Sequence, residues 1–397
     1  MADPHRDPEP PAPTPLLVER AQELLRRLQR LYLAKDELGR LLVLSLIAGE
    51  HLLIIGPPGT AKSAMARTLA RLVDARYFEY LLTRFTEPNE LLGPVDLRAF
   101  REGSYRRRTE QMLPEAELCF LDEIFKASSA ILNSLLSLLN ERRIHIGGER
   151  LDAPLLSLFA ASNEVPLDDS LAALLDRFLL RVRSSYVEGF HFQRLLELGL
   201  EHERHLLAGD PHAELQPILS VRDILQLRKA LRERLRFGED FLSRYKALLF
   251  QLRGEGIGIS DRRAVKLLKL CAASALLDGR ESADEGDLAV LRHTWQSPEQ
   301  AEILDGLLAP VVQRFQREHP ERRAGAVLLP ELLRELAEVR GALREAGSLS
   351  DVQLLAQLRA LGELRAQLLQ QPGEASERVL REVDALLDGV LSARERL

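Results

Sequence analysis

The chain has 397 residues, a formal net charge of −6 at pH 7, 46% apolar residues and 29% charged residues. This length exceeds what one hydrophobic core usually supports, so we expect a globular protein of two or three domains. The acidic balance argues against nucleic acid as a partner, no apolar run approaches the ~20 residues of a membrane span, and the start lacks the apolar core of a signal peptide. We therefore expect a cytoplasmic protein. The two cysteines, Cys119 and Cys271, lie in apolar segments and are predicted core residues.

The first segments lead into a phosphate-binding motif. Residues 1–15 are rich in proline and predict a disordered tail. Apolar residues then recur at three- and four-residue spacing from Leu16 to Leu33 and from Asp36 to Ala48. This spacing predicts two amphipathic helices.

A strand, a tight loop and a helix are predicted from His51 to Arg71, in the sequence HLLIIGPPGTAKSAMARTLAR. Such a loop binds phosphate because its backbone N–H groups and the helix dipole converge on the anion, while Lys62 supplies a charge and Ser63 a hydroxyl for Mg²⁺. The usual motif has Gly before the Lys, where this chain has Ala61. The residues predicted to hold the nucleotide are Gly56, Pro57, Pro58, Gly59, Thr60, Ala61, Lys62, Ser63 and Ala64.

A surface excursion separates this motif from the next core strand. Tyr77 to Leu81 is a predicted strand, and turn and helix-cap signals follow it. Arg98 to Arg107 is predicted to form a small hairpin or loop around Glu102 and Gly103. We expect this segment to be an insertion on the surface of a nucleotide-binding sheet.

An acidic pair follows the next apolar run. Leu118 to Leu121 predicts a strand buried on both faces, and Asp122 and Glu123 stand at its carboxyl end, where open α/β sheets bind ligands. Asp122 there can hold Mg²⁺ opposite Ser63, and Glu123 can polarise the water that attacks a γ-phosphate. An Asp-Glu pair alone is more often a strand that ends in a helix cap. Its position about 60 residues after Lys62 favours the catalytic interpretation.

A helix, a hairpin and a buried strand are predicted next. Ser128 to Arg142 has helical spacing, and residues 143–153 alternate around Gly147-Gly148, which is a hairpin signal. Leu155 to Ala161 is the strand candidate, and Asn163 follows it. An amide at the carboxyl end of a strand can hold the attacking water and sense the γ-phosphate, although on its own such an Asn is more often a turn residue.

Helices dominate the remainder of the chain. Leu171 to Asp176 predicts a short helix that delivers Arg177 to another apolar segment. Residues 190–297 predict consecutive helices, one of them opened by the N-cap Ser260. The last hundred residues predict Leu/Arg/Glu-rich helices. Their sequence is equally compatible with a helical bundle that docks a partner and with a solvated helical tail.

Together these motifs resemble the AAA+ ATPases of the MoxR group, most closely their RavA branch. The resemblance runs from about Leu16 to Gln296 and is carried, in order, by GPPGTAKS, LLTRFTEPNELLGP, LPEAELCFLDEIFKASSAILNSLLSLLNER, FAASNE, ALLDRF and ISDRR. RavA-like members share an Ala before the Lys, so Ala61 fits. The implied fold is α/β, with an AAA+ P-loop three-layer α/β/α core and a parallel sheet, followed by an all-α lid and a C-terminal helical region.

The resemblance also implies roles for single residues. Lys62 and Ser63 look like the Walker A pair, Asp122 and Glu123 like the Walker B pair, and Asn163 like the first sensor of an enzyme that hydrolyses ATP with Mg²⁺. The family's remaining features map to the insertion at about 84–112, which resembles the helix-2 insert, and to the hairpin at 143–153, which resembles the pre-sensor hairpin.

Two arginines complete the set that the resemblance implies. Arg177 resembles the arginine finger that reaches a neighbouring subunit's nucleotide. Arg262 fits the second sensor, and Arg263, one place away, is the less secure choice. The implied division of the chain is a tail at 1–15, a nucleotide-binding domain at 16–187, a lid at 188–298 and a helical hairpin or bundle at 299–397.

The resemblance implies a ring, commonly a hexamer, that works with a partner bearing a von Willebrand factor A domain on an unidentified protein client. RavA itself carries a β-rich module in its C-terminal helices, and residues 300–397 show no strand-rich segment. Two other hypotheses remain open: a DNA-directed motor, which predicts DNA-stimulated turnover with steep salt dependence, and a nucleotide-gated assembly scaffold, which predicts that the C-terminal helices do the binding.

Overall fold

The structure is a computed structural model that describes residues 14–146, 149–166, 171–187, 215–233 and 236–319, with parts of 192–204 and 332–394. Its packing divides the described residues into two compact units. The first unit lies within Met1–Tyr186 and His205–Val311, and the second within Val187–Arg204 and Val312–Leu397. The domain boundaries proposed after residues 187 and 298 stay predictions.

A five-stranded parallel sheet forms the centre of the first unit, in the strand order β2-β3-β6-β1-β7. The strands are β1 (Leu52–Ile55), β2 (Tyr77–Leu81), β3 (Leu118–Asp122), β4 (Arg143–Ile146), β5 (Glu149–Asp152), β6 (Ser157–Ser162) and β7 (Leu180–Arg183). Strands β1 and β6 are buried along their whole length. A parallel sheet covered on both faces requires such continuous apolar runs, which is why the sequence predicted these strands.

Helices pack against this sheet and connect its strands. They are α1 (Thr14–Leu31), α2 (Asp36–Ala48), α3 (Lys62–Leu72), α4 (Pro88–Leu92), α5 (Leu97–Arg101), α6 (Ser129–Glu141) and α7 (Ala172–Leu175). Helix α2 contacts β1, β6 and β7, while α3 contacts β2 and β3. The predicted α/β fold with a parallel sheet is confirmed.

The insertion between β2 and β3 differs in one element from the sequence prediction. Where a hairpin or loop was expected at Arg98 to Arg107, the chain forms the short helix α5, because the Asp96 carboxylate caps it by accepting from the backbone N–H groups of Arg98 and Ala99. The segment then doubles back, and Val95 pairs with Arg107 in an isolated antiparallel bridge. Within a five-residue helix the cap decides the conformation, and apolar spacing carries no signal.

The predicted hairpin at 143–153 is present as the antiparallel pair β4 and β5. Arg143 faces Asp152 across the ladder, and its Nε donates to Asp152 Oδ1 at 2.7 Å. The Gly147-Gly148 turn proposed for it lies outside the described residues. The hairpin follows α6 directly and contacts it.

An all-helical lid follows in the same unit. It consists of α8 (Val221–Glu233), α9 (Glu239–Gly254), α10 (Asp261–Leu277), a 3₁₀ segment at Glu285–His293 and the start of α11 (Pro298–Glu318). Ser260 caps α10 as predicted, since its side chain accepts from the backbone N–H of Arg263. Helix α10 packs against α1 and α2.

The second unit has its own apolar core. Every described residue between 332 and 394 is helical, including α12 (Glu374–Arg394). The buried residues of this core are Leu332, Leu336, Val339, Ala360, Leu361, Leu364, Leu368, Val379 and Val383. The helices predicted for this region are therefore confirmed for the part that the structure describes.

Two remaining observations concern hydrophobic segments. Both cysteines are buried and free, as core residues would be. Among the described helices, none is long and apolar enough to cross a bilayer.

Candidate functional site

The carboxyl ends of adjacent strands build the candidate site. Ile55 at the end of β1 lies between Ser162 at the end of β6 and the end of β7. The chain leaves these strands at the same edge, so the residues that follow them come together: Gly56 N donates to Ser162 O at 2.9 Å, and Ser184 N donates to Ile55 O at 2.8 Å. This edge is where open α/β sheets bind their ligands.

The phosphate loop runs from this edge into α3. A Cβ atom on Gly56 would lie 2.0 Å from the carbonyl oxygen of Ser184, so only glycine allows the loop to approach β7 this closely. Gly59 and Ala61 both have left-handed backbones, with φ of +79° and +62°. Within the described residues, the backbone N–H groups of Gly59, Ala61 and Lys62 have no backbone acceptor. Such free donors at a helix N-terminus fit a bound phosphate chain.

Lys62 lies over this loop and is only 6% exposed. Its Nζ donates to the carbonyl oxygens of Gly56 at 2.6 Å and Pro57 at 2.8 Å. Burial lowers the pKa of Lys62, while the nearby carboxylates of Asp122 and Glu123 raise it. Lys62 and the acidic pair therefore lie within electrostatic range of each other.

The acidic pair stands at the end of β3. Asp122 Oδ1 accepts from the backbone N–H of Glu123 at 3.0 Å, and Glu123 itself has a left-handed backbone with φ of +53°. Glu123 Oε1 accepts from Asn163 Nδ2 at 2.7 Å and lies 3.2 Å from Lys126 Nζ. The structure thus brings together two residues, Glu123 and Asn163, that lie 40 positions apart in the chain.

The two predicted arginines lie elsewhere. Arg177 follows α7, with a side chain that is 26% exposed and an Nη1 atom 3.2 Å from Asp176 Oδ2. Arg262 is exposed at the start of α10. In the part of the chain that the structure describes, no hydrogen bond or ion pair joins either arginine to the phosphate loop.

Arg263, the less secure choice for the second sensor, is buried and partnered within its own protomer. Its Nη1 lies 3.1 Å from Asp176 Oδ1, and its Nη2 donates to the carbonyl oxygen of Thr294 at 2.6 Å. Burial lowers its pKa, and the Asp176 carboxylate opposes that shift. These contacts give Arg263 a role in holding the lid against the sheet domain.

The fold and this site define a P-loop nucleotide-binding protein of the AAA+ class. Residues 19–224 match the family model of the MoxR domain in the MoxR-vWA-beta-propeller ternary systems, and residues 221–308 match an AAA lid domain. The chain belongs to the MoxR group of AAA+ ATPases. The more specific RavA assignment stays a prediction.

Relatives extend over most of the chain. An uncharacterized protein of Methanocaldococcus jannaschii is 33% identical over 91% of this chain and 96% of its own length. The chaperone MoxR1 of Mycobacterium tuberculosis is 26% identical over 53% of this chain and 54% of its own. The crystal structure of a candidate ATPase from Cytophaga hutchinsonii superposes with a TM-score of 0.60 over 75% of this chain and 95% of that one, at 20% identity, which speaks for the fold.

Sequence reasoning missed two lysines near the site, Lys126 and Lys35. Lys126 follows Glu123 by three positions, a spacing that places the two side chains on one side of a helical turn, so this partner could have been found. Lys35 is buried, donates to Ser184 Oγ at 3.2 Å, and has a pKa that burial and the charge of Lys62 both lower. No local pattern announces Lys35, because its partner lies 149 positions away.

Proposed function

We propose that the chain is a Mg²⁺-dependent ATPase that assembles into a ring, most simply a hexamer, in which the neighbouring subunit completes each nucleotide pocket. The observation that carries this proposal is the hydrogen bond of 2.7 Å from Asn163 Nδ2 to Glu123 Oε1, beside the loop that holds Lys62. A carboxylate and an amide are thereby held together at the sheet edge from which the phosphate loop starts, and hydrolysis of a triphosphate needs such groups beside its phosphates.

The residues have separate tasks in this mechanism. The N–H groups of residues 59–62 and the Nζ of Lys62 bind phosphate oxygens. To do so, Lys62 gives up its hydrogen bonds to the carbonyl oxygens of Gly56 and Pro57. Ser63 and Asp122 would hold Mg²⁺, which when bound neutralises the charge of the terminal phosphates. Glu123 polarises the attacking water, and Asn163 orients it.

Arg177 and Arg262 serve a neighbouring pocket in this proposal. Neither has a described contact to the phosphate loop of its own protomer, and both are at least partly exposed. An arginine that stabilises the charge of phosphoryl transfer is worth about 10³–10⁵ in rate. Hydrolysis therefore depends on assembly.

Two substitutions test the assignment of roles. Glu123→Gln should bind ATP and fail to turn it over, and Arg177→Ala should bind ATP with turnover reduced about 10³-fold or more. As a control, Arg76→Ala removes an arginine that is 58% exposed and paired with Glu117, and should keep wild-type turnover. Wild-type turnover in Glu123→Gln or Arg177→Ala would refute the role given to that residue.

A mixing experiment tests whether Arg177 acts across the interface. Arg177→Ala subunits have intact pockets, and Lys62→Ala subunits have intact arginines. Each should be inactive alone, and a mixture should recover turnover because pockets of the first kind meet arginines of the second. A mixture that stays inactive, while both variants still assemble with wild-type subunits, contradicts action in trans.

We further propose that the ring remodels a protein client together with a partner that bears a von Willebrand factor A domain. The support is that the matching family model describes MoxR domains of MoxR-vWA-beta-propeller systems and that one relative is named a chaperone. Glu123→Gln protein with ATP should retain client and partner in a pull-down read by mass spectrometry, and the same protein with ADP should not. Equal capture with both nucleotides contradicts nucleotide-gated remodelling.

A further inference from the structure

One aspartate, Asp176, bridges two arginines that belong to different parts of the first unit. Asp176 directly follows α7, and its Oδ2 lies 3.2 Å from Nη1 of the next residue, Arg177. Its Oδ1 lies 3.1 Å from Nη1 of Arg263, in the first turn of the lid helix α10. Both oxygens of a single carboxylate are thus used, one on each arginine.

The lid side of this bridge is fixed in place. Arg263 is 7% exposed, and its Nη2 donates to the carbonyl oxygen of Thr294 at 2.6 Å. Arg181 of β7 is fully buried beside it and donates to the carbonyl oxygens of Trp295 and Leu175. Arg263 is therefore held to the lid through Thr294, so that it moves with the lid, and Arg181 links the neighbouring Trp295 to the sheet domain.

The Arg177 side is held more loosely. Its side chain is 26% exposed, Asp176 is its one ion-pair partner among the described residues, and its Nε is buried without an acceptor there. The position of the Arg177 guanidinium therefore depends on Asp176.

We propose that Asp176 is a positioning residue that fixes the guanidinium of Arg177 against the lid, so that the arginine offered to the neighbouring pocket follows the position of α10. This inference rests on the function proposed above for Arg177. A lid that moves with its own nucleotide moves Asp176 through Arg263, and the arginine at the next pocket moves with it. The nucleotide state of one pocket thereby sets the position of the arginine at the next pocket.

Replacing Asp176 with Asn separates this role from a general loosening of the lid. The Asn amide has one oxygen and one NH₂ group, so one guanidinium meets a donor instead of an acceptor. Because Arg263 is also held by Thr294, the released group is Arg177. A misplaced catalytic group costs about 10²-fold in rate, so Asp176→Asn should lower kcat by about that factor and leave the KM for ATP unchanged.

The matched control is Asp278→Asn. Asp278 also bridges two arginines, accepting from Arg40 Nη1 at 2.9 Å and Arg280 Nη2 at 3.1 Å, and it also ties the lid to α2. It contacts neither Arg177 nor the segment around α7 in the described structure. Asp278→Asn should therefore keep wild-type kcat, and the conservative Asp176→Glu should recover part of the lost kcat.

A chemical readout tests the geometry without turnover. Phenylglyoxal labels free guanidinium groups, and mass spectrometry of the nucleotide-free full-length protein locates the labels. Arg177 should be labelled faster in Asp176→Asn than in wild type or in Asp278→Asn, while buried Arg263 should be labelled at the same rate in all three. Equal labelling of Arg177 in all three proteins overturns the positioning role.

Subunit mixing tests the direction of the effect. Asp176→Asn subunits keep intact pockets, and Glu123→Gln subunits supply an intact Arg177, so a mixture should regain turnover. No recovery, or the same kcat in Asp176→Asn and Asp278→Asn, overturns the proposal. Wild-type turnover in Arg177→Ala would instead refute the proposed function, whereas loss in Arg177→Ala with wild-type kcat in Asp176→Asn overturns only the positioning role.

Discussion

The phosphate loop and the junction between the lid helix α10 and the sheet domain, here called the seam, differ in how far apart in the chain their contacting residues lie. In the loop, Lys62 Nζ donates to carbonyl oxygens six and five residues earlier in the chain. In the seam, α10 and the residue that follows it are held by Asp176, Glu50 and Arg40, which lie 87, 216 to 219 and 238 positions away. The contacts of Lys62 are therefore local, although Gly56 also packs against Ser184 of β7, and the contacts of the seam are all made across the folded unit.

The largest effect that separates these regions is expected at Gly56. A Cβ atom there meets the carbonyl oxygen of Ser184 at 2.0 Å, so Gly56→Ala must push the loop away from β7. We expect loss of ATP binding and a decrease in the free energy of unfolding of roughly 2–4 kcal/mol. Titration with a fluorescent nucleotide and urea unfolding measure the two quantities.

The control for this substitution is Gly258→Ala. Gly258 lies in the lid, where a Cβ atom would meet no other atom within 4 Å and the backbone is not left-handed, so an alanine fits. Nucleotide affinity should stay at the wild-type value in Gly258→Ala. An unchanged affinity in Gly56→Ala would show that the loop is not held by its close approach to β7.

The seam should break most clearly at Glu50. Its side chain is 5% exposed, and its two oxygens lie 3.1 Å from Lys266 Nζ and 2.5 Å from Lys269 Nζ, both on α10. Glu50→Gln leaves two lysines facing a neutral amide, and because each lysine is about a third exposed, water relieves part of the cost. We expect a loss of about 1–3 kcal/mol in urea unfolding, with little change in ATP affinity.

A surface pair provides the comparison for Glu50. Glu233 lies 3.8 Å from Lys229, and both side chains are more than 60% exposed. Glu233→Gln should change the free energy of unfolding by no more than about 0.5 kcal/mol. If Glu50→Gln costs as little, the ion pairs of α10 do not hold the lid.

A third prediction concerns pH and the residue next to Glu50. His51 is buried, its Nδ1 accepts from the backbone N–H of Leu158 at 3.0 Å, and its Nε2 lies 3.2 Å from the carbonyl oxygen of Leu139. Burial first, and the charge of Arg142 second, hold the pKa of His51 well below its usual range. The folded protein therefore keeps this imidazole neutral when the unfolded chain protonates it.

The sign of the effect follows from proton binding. Below about pH 6.5 the unfolded chain binds a proton that the folded protein does not, so stability falls as pH falls, by up to about 1.4 kcal/mol per pH unit. His51→Gln removes this contribution. Urea unfolding between pH 7.5 and about 5 should give a shallower slope for His51→Gln than for wild type, and parallel slopes would contradict a neutral His51.

The two regions also explain what the sequence could and could not predict. Lys62, Asp122, Glu123 and Asn163 follow buried strands in order, so the edge of a parallel sheet brings them together without further information. Asp176 gave no signal, because its partner Arg263 lies in another domain and an Asp before an Arg is common. The short helix α5 was missed for a different reason, since one cap by Asp96 decides five residues.

The smallest effect is expected inside the loop, at Ala61. Its φ of +62° lies in the left-handed region, where a Cβ atom costs roughly 1–2 kcal/mol. Ala61→Gly removes that strain, although glycine loses about 0.5–1 kcal/mol more on ordering, so the net gain in the free energy of unfolding should be at most about 1 kcal/mol. Ala61→Val should do the reverse, because a β-branched side chain fits this conformation worst. The free energy of unfolding, measured with urea, should decrease in the order Ala61→Gly, wild type, Ala61→Val. If Ala61→Gly is instead less stable than wild type, the loop carries no strain at Ala61, and the position before Lys62 is fixed by contacts of its methyl group.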